Sequence, residues 1–423
     1  METPVAQGIE PIAAGPALVQ PLRIRDYRLV LLGQMVSVLG DQFHFVALAW
    51  LALQLTGSGL ALGTVLMTAA IPRAVFMLLG GAFSDRFSPR TLILVSNLIR
   101  GAVVAVVAAL VLSGRAELWH LYVLAGVFGV VDAFFYPALN TIVPMIVPNR
   151  LLPPANAALT GSVQVMGLIG PALAGATIAA VQTGPAFLVD AASFGIAAAA
   201  VFLVRGGRHT ASHATEAPPD GLLASIGVGI RAAWADPAVR GTLVLITAFN
   251  LGFNGPIGVG LAWLAEVRFD DGPGAFGLLF SAWGGGALLG AIIGGSMGLP
   301  RRFGHILMVI AVALGIGLGL VGLAPNVGVA LALLGVMGVL VGMTNVLYIS
   351  WLQRRVAADL RGRVMSLVML ASVGLAPVSL AAAGALIDLG AATLMFGVAG
   401  SIVLGAGLAG FIWRVPSAME TDA

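Results

Sequence analysis

Four charged side chains stand deep within long apolar runs of this sequence: Asp41, Arg73, Arg100 and Asp132. An ionised side chain at the centre of a bilayer costs about 2.5–3.5 kcal/mol on insertion scales, so each needs a partner or water. At about 1.5 Å per helical residue, Asp41 lies about 20 Å and Arg73 about 18 Å from the cytoplasmic ends assigned below; Arg100 and Asp132 lie about 15–16 Å in. Those depths predict two acid–base pairs, Asp41 with Arg73 and Arg100 with Asp132. The chemistry open to them is proton exchange. Burial favours the neutral acid and a neighbouring guanidinium favours the ionised one, so Asp41 can take up or release a proton as its surroundings change. Asp41 is therefore the candidate for proton coupling, with Arg73 modulating it and His44 nearby. The competing reading makes these pairs struts of the bundle, and Asp190, nearer the outer end of its segment, is read as structural.

Uncharged polar residues follow the same apolar runs at helical spacing. Gln34, Ser37, Asp41 and His44 step by three and four; Asp132, Tyr136 and Asn140 step by four. Thr247, Asn250 and Asn254 mark a third run, and Asn345 and Tyr348, with Thr344 adjacent, a fourth. These stripes predict one aqueous cavity walled by Gln34, Ser37, Asp132, Tyr136, Asn140, Asn250, Asn254, Asn345 and Tyr348. The alternative for any single Asn or Thr is that it hydrogen-bonds helix to helix.

The elements that must carry these residues are transmembrane helices. Of the 423 residues 59% are hydrophobic and only 9% charged, whereas a soluble domain carries roughly 25% charged residues. A span needs about 20 apolar residues. The apolar runs predict spans near 28–54, 58–82, 91–113, 118–143, 154–180 and 184–204, then near 240–264, 273–298, 303–323, 326–350, 363–387 and 391–413. Residues 221–235 read as a surface helix leading into the seventh span, with Arg231 and Trp234 at the interface. All 21 basic residues are arginine. With both termini cytoplasmic, 17 of them face inward (23, 25, 28, 86, 90, 150, 205, 208, 231, 240, 301, 302, 354, 355, 361, 363 and 414), while Arg115 and Arg268 face outward. That asymmetry fits an even number of spans, where an odd count would scatter it, and the expectation is a multi-pass protein of the inner (plasma) membrane.

The first and second six spans also read as copies. Gly80-Gly81 precedes Asp85, Arg86 and Arg90 as Gly294-Gly295 precedes Arg301 and Arg302. Two six-helix halves joined by a polar linker are the repeat plan of many secondary transporters, with the substrate near mid-membrane between halves. The polar stripes fall on spans one, four, seven and ten, the equivalent helices of such a repeat. The expected organisation is a disordered cytoplasmic tail (1–22), an N-terminal bundle (23–205), a cytoplasmic linker (206–222), a C-terminal bundle (223–414) and a second tail (415–423). The first tail carries only Glu2 and Glu10 as charges and lacks the basic start of a secretory signal.

Several chemistries are excluded. No Walker phosphate loop is present, which removes an ATP-driven pump. The five histidines have no metal-ligand spacing, and with no cysteine there is no thiolate site or disulfide. No basic run with interleaved aromatics suggests nucleic acid. Neither a catalytic residue nor a cofactor is expected.

Residues 81–90, Gly-Ala-Phe-Ser-Asp-Arg-Phe-Ser-Pro-Arg, resemble the loop between helices two and three of the major facilitator superfamily, Gly-x-x-x-Asp-Arg/Lys-x-Gly followed by basic residues. Gly81, Asp85, Arg86 and Arg90 match; Ser88 stands where glycine is usual. The resemblance implies that these four form a cytoplasmic gate. Ser37…Gly40-Asp41, Pro137-Ala138, Pro144, Ala155-Asn156-Ala157, Gly170-Pro171, Asp190-Ala191, Ser193-Phe194 and Arg361-Gly362-Arg363-Val364-Met365-Ser366 resemble the macrolide-efflux and enterobactin-exporter branch. That branch implies export, and span five resembles the Gly-Pro element of antiporters, although only two residues separate Gly167 and Gly170 where three are usual.

Together these readings predict an all-α membrane protein of twelve helices in two pseudo-symmetric bundles. It would export a small organic molecule (a drug, siderophore or other secondary metabolite) by proton-coupled alternating access, as an antiporter of the multidrug-resistance kind, monomeric in the bilayer. An importer of the same fold and a non-transporting receptor or scaffold are the alternatives. Cysteines introduced at Ser212 and Ser417 are expected to resist an impermeant thiol reagent in whole cells and to react in inverted vesicles. Labelling of either in intact cells would refute the topology.

Overall fold

The protein is described by a computed structural model covering residues 17–84, 87–206, 230, 231, 233–269, 271–356 and 358–420. Among these residues there are twelve helices long and apolar enough to cross a membrane. In order they are α1 (Arg25–Thr56), α2 (Gly59–Ser84), α3 (Pro89–Leu112), α4 (Leu118–Ile146), α5 (Leu152–Val181) and α6 (Thr183–Phe202). The second set is α7 (Pro237–Arg268), α8 (Gly272–Met297), α9 (Phe303–Leu323), α10 (Val327–Arg355), α11 (Ala358–Val373 and Ala376–Asp388) and α12 (Ala392–Ile412). Helices are forced here because lipid offers no partner for backbone N–H and C=O groups, so each span must satisfy its own. Large apolar side chains on the outer faces remain open, among them Val106, Ile196, Ile292 and Val336 at 55–62% exposure. That belt suits hydrocarbon and not water.

Local chemistry sets the helix ends. Ser88 precedes Pro89 and its hydroxyl accepts the N–H of Thr91 at 3.2 Å; Asn326 caps α10 through the N–H of Val329 at 3.0 Å. Gly57 ends α1 at φ 63°, a conformation that favours glycine. Proline interrupts two helices of the second half. Pro256 opens a π-helical turn in α7, and the Ser379 hydroxyl of α11 inserts into the ladder just before it. That hydroxyl accepts from Gly255 N at 2.7 Å and donates to Leu251 O at 2.6 Å. In α11 the helix breaks at Gly374-Leu375 and restarts with Ala376-Pro377.

In the first half α1 packs against α5 and α6, α2 and α3 against α4, and α3 against α6. In the second half α8 packs on α10, α9 on α12, and α7 on α11 and α12. The halves meet along two seams, α2 with α11 and α5 with α8. A Cβ on Gly63 would press into the carbonyl of Leu380, and one on Gly277 into that of Pro171. Both seams are tightest towards the arginine-poor end. There Asp388 of α11 accepts the Ser58 hydroxyl at 2.5 Å and the Gly59 N–H at 2.6 Å, capping α2 from the opposite half. Towards the arginine-rich end the seams part. A Cβ on Gly161 or Gly295 would meet open space, and Tyr136, Asn140 and Asn345 are exposed.

Of the expected surface helix, residues 230, 231 and 233–235 are helical with Arg231 and Trp234 exposed; its earlier part and most of the 206–222 linker lie outside the described residues. Asp236 closes this segment and caps α7, accepting from Ala238 N at 2.9 Å while Arg355 Nε donates to it at 2.9 Å. Burial pushes the Asp236 carboxyl up. The hydrogen bonds from Arg355 and the backbone N–H groups, with the arginine charge, outweigh it and hold the group below its usual 3.8. A depressed folded-state pKa contributes stability above the unfolded value, lost as pH falls through the folded one. Asp236→Ala is expected to cost about 1 kcal/mol at neutral pH. The difference in Tm from wild type should persist at pH 5 and close only below 3.8. Closure by pH 5 would contradict this.

Candidate functional site

Asp132 of α4 is the centre of the charged residues. Its Oδ1 accepts from Arg100 NH1 at 3.2 Å and its Oδ2 pairs directly with Arg73 NH2. Arg100, 2% exposed, also donates to Asn97 Oδ1 at 3.1 Å. Its guanidinium lies between the rings of Phe135 and Phe194, 4.2 and 4.7 Å from their centroids. Such stacking suits a cation withdrawn from water. Asp41 Oδ1 stands 3.9 Å from Arg100 NH1. The chain of charges therefore runs Asp41, Arg100, Asp132, Arg73, with two acids facing two bases.

This arrangement corrects the expected pairing of Asp41 with Arg73. Depth along a helix says nothing about which way a side chain points. Because α2 and α3 both pack on α4, while α1 lies mainly against α5 and α6, both arginines reach the acid of α4. Asp41 takes the outer place beside Arg100.

His44 turns to another partner, its Nδ1 lying 3.0 Å from Asp190 Oδ2. Its ring stacks on Phe128 at 4.0 Å. Asp190 is fully buried and its Oδ1 has no hydrogen-bond partner. Gly40 permits this approach of α6, since a Cβ there would collide with Ser193 and Asp190. Asp190, read from sequence as structural only, is thus the partner of a candidate coupling residue.

A cavity of about 450 Å³ lies between the halves. Arg73 and His44 bring the charged network to its wall. Opposite them stand Asn250 and Asn254, whose amide nitrogens donate to Ile246 O at 2.9 Å and Asn250 O at 2.7 Å in their own helix. The remainder is apolar, aliphatic side chains such as Leu48, Leu66 and Leu380 together with the rings of Phe45, Phe128, Phe249, Phe253, Phe280 and Trp283. These rings were not singled out in the sequence, where an aromatic in an apolar helix reads as core.

Of the nine residues expected on one wall, the structure places only Asn250 and Asn254 there. Gln34 and Ser37 are buried in the N-terminal bundle at 7% and 1% exposure, and Asp132 is enclosed by its arginines. Tyr136 and Asn140 are exposed further along α4, towards the arginine-rich end. Asn345 and Tyr348 line a second cavity, about 400 Å³, inside the C-terminal half. The stripes are present, but bundle packing rotates them away from a single chamber.

Of the expected gate, Asp85 and Arg86 lie outside the described residues, and Gly81 is helical in α2. Arg90 donates through Nε to Val201 O at 3.2 Å and through NH2 to Phe202 O, closing the end of α6. Removing Arg100 would leave the buried Asp132, and the partly exposed Asp41 near it, with Arg73 alone. Arg100→Gln is expected to destabilise the protein by about 3–5 kcal/mol, read as loss of Tm in detergent, with Asp132→Asn recovering part of it. Asp41→Asn should cost far less. Equal losses would contradict the central place given to Asp132.

Residues 30–378 match the model of the Major Facilitator Superfamily. The chain is 27% identical over 371 residues to the multidrug efflux pump Tap of Mycolicibacterium fortuitum, covering 85% of this chain and 88% of that protein. It is 21% identical over 343 residues to macrolide efflux protein A of Streptococcus pyogenes, covering 79% and 82%. Among solved structures, a POT family transporter in complex with 5-aminolevulinic acid superposes with a TM-score of 0.71 at 14% identity, covering 94% of this chain and 97% of that one. With twelve helices apolar and long enough to span among the described residues, in two halves packed around a cavity, the chain belongs to the Major Facilitator Superfamily and is a multi-pass membrane transporter.

Proposed function

We propose that the protein exports small organic molecules by proton-coupled alternating access, with the arginine-rich end in the cytoplasm and the chain working as a monomer in the plasma membrane. The observation that carries this reading is the chain of charges that ends on the cavity wall at Arg73. With Asp41 ionised, two carboxylates balance two guanidiniums. A proton on Asp41 leaves one positive charge in excess, and in a site shielded from water that charge repels a cation over several ångströms. Proton and cationic substrate then exclude one another, which is the condition for moving them in opposite directions.

The aromatic wall suits the same substrates. Rings of Phe and Trp attract an organic cation and bury its apolar body, while the carbonyls of Asn250 and Asn254 accept hydrogen bonds. A drug, siderophore or other secondary metabolite with a basic aromatic core is the class that fits, and the likeness to efflux pumps supports export over import. Opening towards the outside requires breaking the bonds of Asp388 to Ser58 and Gly59. Asp85 and Arg86, with Gly81 and Arg90, would close the cytoplasmic side in the manner of the family.

Inverted membrane vesicles with an acid interior provide the test, with ethidium as the cationic aromatic probe. Wild-type protein is expected to accumulate it, and accumulation should collapse with the pH gradient. Asp41→Asn should lose accumulation by at least about tenfold, the effect of one lost charge worth about 1.4 kcal/mol, while exchange without a gradient partly survives. Undiminished accumulation by that variant would remove Asp41 from coupling.

A further inference from the structure

The second cavity, of about 400 Å³, lies wholly within the C-terminal half, among α7, α9, α10, α11 and α12. A volume of that order is typical of small-molecule sites. Its wall differs in kind from that of the central cavity. Among the described residues, no Asp, Glu, Arg, Lys or His contributes to it. Three of its polar side chains have donated within their own helices: Thr242 Oγ1 to Val239 O at 2.9 Å, Asn250 Nδ2 through one of its hydrogens to Ile246 O at 2.9 Å, and Ser372 Oγ to Val368 O at 2.8 Å.

Two others have not. Tyr348, 6% exposed, and Thr344 line the cavity, and both hydroxyl oxygens are buried without a hydrogen-bond partner. They stand four residues apart on α10, so they share one face and address one space. A buried hydroxyl without a partner is costly, and most such groups in folded proteins find one. Among the described residues Thr344 Oγ1 meets no partner, and the Tyr348 hydroxyl lies beside that of Thr242, whose own hydrogen goes to Val239 O.

We infer that this cavity is a second ligand site, taking an uncharged, mainly apolar molecule with a hydrogen-bond acceptor, such as a ketone or ether, turned to Tyr348 and Thr344. A wall without charge among the described residues suits a neutral molecule, and the Tyr348 and Thr344 hydroxyls select the acceptor. Asn345 and Ile349, both exposed on α10, mark its open side, and Phe249 and Asn250 form a wall shared with the central cavity. The two chambers thus sort molecules by charge, the central one with Arg73 and His44 and this one with hydroxyls and amides. The site depends on neither the direction nor the energy source proposed above.

Benzophenone is a suitable probe, being a neutral aryl ketone that inserts into nearby C–H bonds on irradiation. Purified protein in lipid nanodiscs, with no gradient imposed, is irradiated over a range of benzophenone concentrations and its peptides are analysed by mass spectrometry. Saturable labelling is expected at Met365, which lines the cavity. Met297, 61% exposed at the end of α8, reports partition from lipid and should not saturate. The double variant Tyr348→Phe, Thr344→Val keeps shape and loses both donors, and its half-saturation should rise about tenfold. Ser372→Phe, which fills the space, should abolish the saturable component, with Tm confirming that each variant is folded. Met365 labelling that never saturates, or that saturates equally in the double variant, would overturn the assignment.

Discussion

A carboxylate held between two guanidinium groups inside a helix bundle sets the terms for the N-terminal half of this transporter. Asp132 accepts from Arg100 and pairs with Arg73, while Asp41 stands further from Arg100, at 3.9 Å. Three helices are fixed against one another by that single side chain. Buried charges stay only where partners and hydrogen bonds replace water. Arg100 meets that requirement with Asn97 and with two aromatic rings that cover its flat faces. The outer positions, Asp41 and Arg73, are partly exposed, so the network is dry at its core and reachable at both ends.

The same division between fixed and open parts appears in the contact between halves. Glycines bring α2 onto α11 and α5 onto α8 near the arginine-poor end, where side-chain volume would hold them apart. Without a hydrophobic drive between helices in lipid, close backbone approach and the hydrogen bonds it permits do most of the work. Asp388 adds a directed bond across the seam by capping α2. Towards the other end the seams separate, leaving the central cavity closed on one side and approached from the other. In the second half, proline and an inserted serine hydroxyl interrupt α7 and tie it to α11 beside that cavity. Two long helices thereby bend next to the chamber without leaving polar backbone groups in hydrocarbon.

The two chambers are separated by Phe249 and Asn250, yet their chemistry diverges. One receives the end of a charged network and a ring of aromatics. The other holds hydroxyl and amide groups on an apolar wall. A transporter with both can meet charged and uncharged molecules in different places.

Composition and arginine placement determined the membrane solvent, the number of spans and the repeat, because these depend on properties summed along the chain: apolar length and charge at the helix ends. The polar stripes and deep charges were equally legible, since helical spacing alone puts Asp41 beside His44 or Asn250 beside Asn254 on a face. What each face meets was not. Asp132 joined to both Arg73 and Arg100, Asp190 reaching His44, Gln34 and Ser37 turned into the bundle, and Tyr348 opening on a separate cavity all depend on the rotation of each helix about its axis. Small residues such as Gly40 set that rotation through contacts between segments some 150 residues apart. A linear sequence fixes depth in the membrane; only the packed bundle fixes azimuth, and partner choice follows from azimuth.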